Sequence, residues 1–305
     1  MTDHFPIEDG AHLRARADAL LGIGRYRDAV PLLQSALRLS PDDARLHCRM
    51  AVALFKLGEQ RPALHQASLA IHANPAGEWG HRLRSVILLE KGDIRGALEA
   101  AQEAAARAPN DVKVIHNLIS TLLRAGRVKE AAQGAEHLRR IAPSSPLSYE
   151  ALALVALRQN RWIEAEIHCR AMLRINPLSY AAFHNLGLAL CRSKRMPEAI
   201  ESFLEAQRLN PAKRIVRRQL DAAVRAYLFD LLYPLLSGAG LLAFLAFLPL
   251  GDRATYGPVW GHAGMFCLAA LLIAAAAFFT GKRLRTLPQA ARQNLFSRKN
   301  GWHDS

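Results

Sequence analysis

The chain has 305 residues, 51% hydrophobic and 22% charged, which excludes a disordered or low-complexity protein and leaves room for about two domains. Its four cysteines, Cys48, Cys169, Cys191 and Cys267, show no CxxC spacing, so they read as reduced, small core residues and not as a disulfide scaffold. The formal net charge of +14 raises nucleic-acid binding, but residues 212–305 hold 12 Lys/Arg against 4 Asp, so more than half the excess sits in the shorter C-terminal part.

Residues 1–9 form an N-terminal segment, and the first 25 residues lack the continuous apolar run of a secretory signal, so residues 10–213 are expected in the cytosol. Pro41, Pro75, Pro109, Pro143, Pro177 and Pro211 recur at a spacing of 34 residues, the period of a helix–turn–helix repeat. With each proline at position 32, six units run 10–43, 44–77, 78–111, 112–145, 146–179 and 180–213. Position 20 is alanine in all six, and position 8 is Ala17, Ala51, Ser85, Ile119, Ala153 and Gly187. Small residues at these positions let two antiparallel helices approach closely. Position 15 is Gly24, Gly58, Gly92, Gly126, Asn160 and Lys194. Glycine there ends the first helix with a positive φ, which asparagine tolerates and lysine tolerates less well. Proline at position 32 cannot continue the second helix. Ile119, Leu138 and Met172 replace small residues in units four and five, which puts the helix spacing there in question.

After Pro211, residues 214–230 read as an Arg-rich capping and linker helix. Residues 231–250 carry no charge and match the ~20 residues of a membrane-spanning helix. Residues 263–281 are a second uncharged stretch, and 251–262 form a short loop containing Tyr256 and Trp260 between the two. Lys213, Arg214, Arg217, Arg218 and Arg225 precede the first span, whereas Lys282, Arg283, Arg285, Arg292, Arg298 and Lys299 come after the second, in the basic tail 282–305. This Lys/Arg asymmetry predicts both termini on the cytoplasmic side of an inner membrane. Arginine exceeds lysine 32 to 8 and alanine is abundant, which points to a bacterial chain.

The stretches FHNLGLALCRSKRMPEAIESFLEAQRLNP (183–211) and GRYRDAVPLLQSALRLSP (24–41) resemble the tetratricopeptide repeat family, and the resemblance covers roughly residues 10–213. It implies an all-α fold: a right-handed α-solenoid of six tetratricopeptide-like helix hairpins, here followed by a capping helix and a transmembrane helical hairpin. It also implies an inner groove built from the first helix of each pair. Two units share a His-Asn pair there, His116-Asn117 and His184-Asn185, and position 13 is Arg124, Arg158 and Arg192 in the last three units. An asparagine can hold a peptide unit through a donor and an acceptor, and arginine can grip a carboxylate as a fork. The candidate peptide-binding residues are therefore Asn117, Arg124, Arg158, His184, Asn185 and Arg192, with an acidic or C-terminal peptide as the expected ligand.

No GxxxxGK[ST], HExxH or GxSxG motif occurs, and the twelve histidines form no metal-ligand spacing. No catalytic residue, metal or cofactor is therefore nominated, and the chain is not expected to be an enzyme. The leading expectation is a membrane-anchored protein–protein interaction scaffold or assembly factor. The alternatives are an accessory subunit of a membrane transport or secretion complex and, disfavoured by the charge partition, a nucleic-acid-binding solenoid.

Overall fold

The computed structural model describes residues 9–211 and 213–247, with side chains placed through residue 230. Among the described residues there are thirteen α-helices and no strand. They fall into two compact units, one ending at Asn160 and the other beginning at Arg161.

The first unit contains α1 (Gly10–Gly22), α2 (Tyr26–Leu39), α3 (Ala44–Lys56), α4 (Gln60–Ala73), α5 (Glu78–Lys91), α6 (Ile94–Arg107), α7 (Val112–Arg124), α8 (Val128–Ile141) and α9 (Pro146–Arg158). The second contains α10 (Trp162–Ile175), α11 (Tyr180–Arg192), α12 (Met196–Leu209) and α13 (Arg214–Phe247). Within each unit every helix packs mainly on its chain neighbours, which is how a helical repeat array buries its core.

Each boundary has a chemical cause. First helices begin at Asp9, Asp43, Gly77, Asp111, Ser145 and Ser179, and all but Gly77 accept a backbone N–H of the first turn through the side chain. Asp43 takes those of Arg45 and Leu46, and Asp111 those of Lys113 and Val114. Such a cap contributes about 1 kcal/mol. First helices end in a left-handed residue at position 15: Gly24, Gly58, Gly92 and Gly126 have φ of 77–90°, and Asn160 and Lys194 adopt 61° and 60°. The turn is closed by a 6→1 bond, for example from Arg127 N–H to the Leu122 carbonyl at 2.9 Å and from Arg195 N–H to that of Leu190 at 2.9 Å. Second helices stop at position 30, two residues short of the proline.

The small residues do what their spacing predicts. The six alanines of position 20 are fully buried, as are Ala17, Ala51, Ser85 and Ala153 at position 8. Ser85, the one polar member, is satisfied: its hydroxyl meets that of Thr121 at 3.4 Å, and Thr121 donates to the Asn117 carbonyl at 2.8 Å. Ile119 in the fourth repeat is also buried, and the helix opposite makes room for it with Gly134, where a Cβ would come within 3.0 Å of Ile119 Cγ1. In the sixth repeat the sizes are reversed: Gly187 faces the buried ring of Phe203.

Helix α13 runs without interruption from Arg214 through Pro234 to Phe247, joining the expected capping helix to most of the first expected span. Among the described residues, no helix is long and apolar enough to cross a membrane. The end of the first expected span, the 251–262 loop, the 263–281 span, the 282–305 tail and Cys267 lie outside the described residues.

Candidate functional site

The six candidate residues fall three in each unit. In the first, α7 carries Asn117 at the register next to His116, and α9 brings Glu150 opposite. His116 and Glu150 share position 5 in successive repeats, so the stacking that builds the array sets His116 Nε2 3.5 Å from Glu150 Oε2. Burial holds the His116 imidazole below its ordinary range, and the Glu150 carboxylate works against that shift. Asn117 is only 8% exposed, and among the described residues its buried Oδ1 receives no hydrogen bond. Arg124 and Arg158 are the last residues of α7 and α9; both are exposed and neither has an acidic partner among the described residues. At these C-terminal positions they also complement the helix dipole.

In the second unit, Asn185 is 4% exposed and its Oδ1 lies 3.3 Å from His184 Nδ1. The His184 ring stacks on Tyr180 at 5.9 Å, with 7° between the planes, and meets Phe203 at 6.3 Å with the rings tilted by 56°. Gln219 of α13 faces it. Burial lowers the His184 pKa, and Gln219 and Asn185 oppose the shift. Arg192 ends α11, where its guanidinium lies 5.9 Å from the Trp162 ring centre in a cation–π contact.

The arrangement therefore has two chemical layers. Within its own unit each of Asn117 and Asn185, beside a histidine, is sunk into the packing, and the arginines that end α7, α9 and α11 are open to solvent. Nothing in the sequence reading nominated Glu150 or Trp162. The Glu150 signal was available: a carboxylate 34 residues after a histidine at one register faces it in a stacked array. Cys48, at the same register in the second repeat, is buried, and burial pushes its thiol up to about 12, so it is an inert packing group there. Among the described residues no group of three or more His, Cys, Asp and Glu side chains is placed to hold a metal ion.

Two tetratricopeptide repeat models match the chain, one over residues 20–83 and 88–155 and the other over 151–213. No curated protein matches it. Among solved structures, the Cut9–Hcn1 hetero-tetramer of the APC/C is similar with a TM-score of 0.62 at 14% identity, covering 72% of this chain and 44% of that one. This chain therefore spans less than half the length of that relative. PilF of Pseudomonas aeruginosa is similar with a TM-score of 0.53 at 17% identity, covering 70% of this chain and 96% of that one. A tetratricopeptide repeat protein of Thermus thermophilus is similar with a TM-score of 0.53 at 20% identity, covering 59% and 98%. At such identities these likenesses speak for the fold alone, and the matched models cover most of the chain: it belongs to the tetratricopeptide repeat family.

Proposed function

We propose that the chain is a protein–protein interaction scaffold or assembly factor that holds an extended segment of a partner along its first helices. The observation that carries this reading is the repeated constellation of a half-buried histidine and a buried asparagine with an exposed arginine at the end of the same helix, in α7 and again in α11. Asn117 Oδ1 is a buried acceptor without a donor among the described residues, which a bound peptide's backbone N–H would satisfy once the side chains over it give way. Arg124 and Arg158 in the first unit, and Arg192 in the second, supply forks for carboxylates, which selects acidic or C-terminal segments. His184 and Asn185 repeat the first pair. The test is binding of a fluorescein-labelled acidic peptide with a free C-terminus to the full chain. Asn117→Ala together with Asn185→Ala should weaken it at least tenfold; unchanged affinity removes these anchors.

The uncharged stretches 231–250 and 263–281, with their basic flanks, further support anchoring in the inner membrane by two helices, both termini in the cytoplasm. Proteolysis of oriented vesicles tests this. The repeats should be cleaved in inside-out vesicles and protected in right-side-out ones, and the reverse pattern defeats the topology.

A further inference from the structure

The fixed register of the repeats gives every exposed position five internal controls, and one helix departs from them. At position 18 the other repeats carry Arg27, Arg61, Arg95, Lys129 and Pro197; the fifth carries Ile163, 73% exposed. At position 22 they carry proline, histidine, glutamate, glutamine and glutamate; the fifth carries Ile167, 56% exposed. Position 33, polar or alanine elsewhere, is Leu178, 66% exposed.

Ile163 and Ile167 lie one turn apart on the side of α10 opposite its buried Ala165, Cys169 and Met172. The same stripe continues with Arg170 and Arg174, and Ile167, Arg170, Leu173 and Arg174 line an open depression of about 540 Å³. Burying two isoleucines would remove their apolar area from water, and nothing among the described residues does so. The charge beside it is unbalanced. Glu166 is shared by Arg170 at 2.8 Å and Arg195 at 2.6 Å, and Arg195 also pairs with Glu198. Arg174 has no acidic partner among the described residues.

We propose that this face of α10 is a second docking surface, separate from the row of first helices, and that its occupant is an acidic amphipathic helix of a partner protein. Two apolar side chains of that helix cover Ile163 and Ile167, and carboxylates further along it meet Arg174 and Arg170. The stripe from 163 to 174 is twelve residues, about 16 Å end to end at helical rise, which a partner helix of three to four turns spans. A flat lipid surface fits less well, because Ile167, Arg170, Leu173 and Arg174 line a depression, which a protruding helix fills and a bilayer surface does not.

The test is a displayed library of 16-residue peptides selected on the full detergent-solubilised chain, with the Ile163→Ser/Ile167→Ser chain as counter-target. Both isoleucines are exposed, so the variant should melt with the parent by circular dichroism. The expected result is an enriched pool with apolar residues at i and i+4 and acidic residues beyond them. Its affinity should fall at least tenfold for the double serine variant and at least fivefold for Arg174→Glu, weaken as salt is raised, and stay unchanged for Asn117→Ala. Four results overturn the proposal: a pool that does not distinguish the serine variant, a pool that is basic, stripe-dependent sedimentation with anionic vesicles without peptide binding, or self-association abolished by the serine changes.

Discussion

Replacing Gly187 by alanine puts a methyl group where α11 meets the edge of a phenyl ring. A Cβ at that position would lie 2.6 Å from Phe203 Cε1, 2.7 Å from Cδ1 and 2.9 Å from Cζ, all well inside the roughly 3.5–4.0 Å at which carbon atoms attract. Phe203 is 1% exposed, so the ring has no solvent to swing into. Overpacking a core costs about 1–3 kcal/mol, and three simultaneous overlaps put this site in the upper half, at about 2–3 kcal/mol. Removing a glycine from a helix interior returns about 1 kcal/mol. The net expectation is a loss of about 1–2 kcal/mol. Phe203→Leu alone should also destabilise, because it leaves space beside Gly187. In the double variant the new methyl fills part of that space, so the two costs should fall short of additive by about 1–2 kcal/mol. Urea unfolding of the full chain in detergent, followed by far-UV circular dichroism for all four members of the cycle, measures this. A neutral or stabilising Gly187→Ala, or strict additivity, would refute the reasoning that glycine is at this position because the ring is opposite it.

Three further expectations rest on the same geometry. Lys194 is left-handed at a φ of 60°; that conformation costs a non-glycine residue roughly 1–2 kcal/mol, and glycine's extra unfolded-state freedom takes back roughly 0.4–1, so Lys194→Gly should raise stability by about 0.5–1 kcal/mol in the same assay. Asp111→Ala removes the acceptor for the Lys113 and Val114 amides and should cost about 1 kcal/mol, whereas Asp111→Asn should keep most of the stability. Burial places the folded-state pKa of His116 and His184 below the ordinary 6.5. The unfolded chain therefore binds protons first as pH falls, so stability is fully present above pH 6.5 and is lost as pH drops from there toward the lowered folded values. The urea midpoint should be lower at pH 5.5 than at pH 7.5, and His116→Gln with His184→Gln should flatten that dependence.

The helical architecture was legible because its signals are periodic and chemically narrow. Proline is disfavoured inside a helix, although α2 holds Pro31 and α13 holds Pro234, and only glycine enters the left-handed region freely, so prolines and glycines that recur at a fixed spacing mark boundaries. All six position-15 residues take a positive φ, including Asn160 and the less tolerant Lys194. The N-caps were equally available: five of the six residues before a first helix are Asp or Ser, spaced with the prolines, and each bonds the first turn. What the register could not supply was depth. Asn117 and Asn185 belong to the polar row by position, yet they lie in the packed layer, because burial depends on how far neighbouring helices close over a site. Stacking of Tyr180 on His184, and the approach of Gln219 from α13, are likewise products of packing with no spacing to announce them.

Departures from the repeat pattern divide by whether something answers them. Ile119 stands where other repeats hold a small residue, and Gly134 opposite gives up its side chain. Gly187 is the smallest member of its register, and Phe203 takes the volume it releases. In both places the sum is kept while its parts change, which is what a close-packed interior requires. Ile163 and Ile167 depart as far from their register, but nothing within the described chain covers them. Among the described residues an aliphatic side chain on this solvated face gains nothing, which leaves its apolar area for the docking proposed above, and a departure that serves packing is told apart by the compensating residue opposite it.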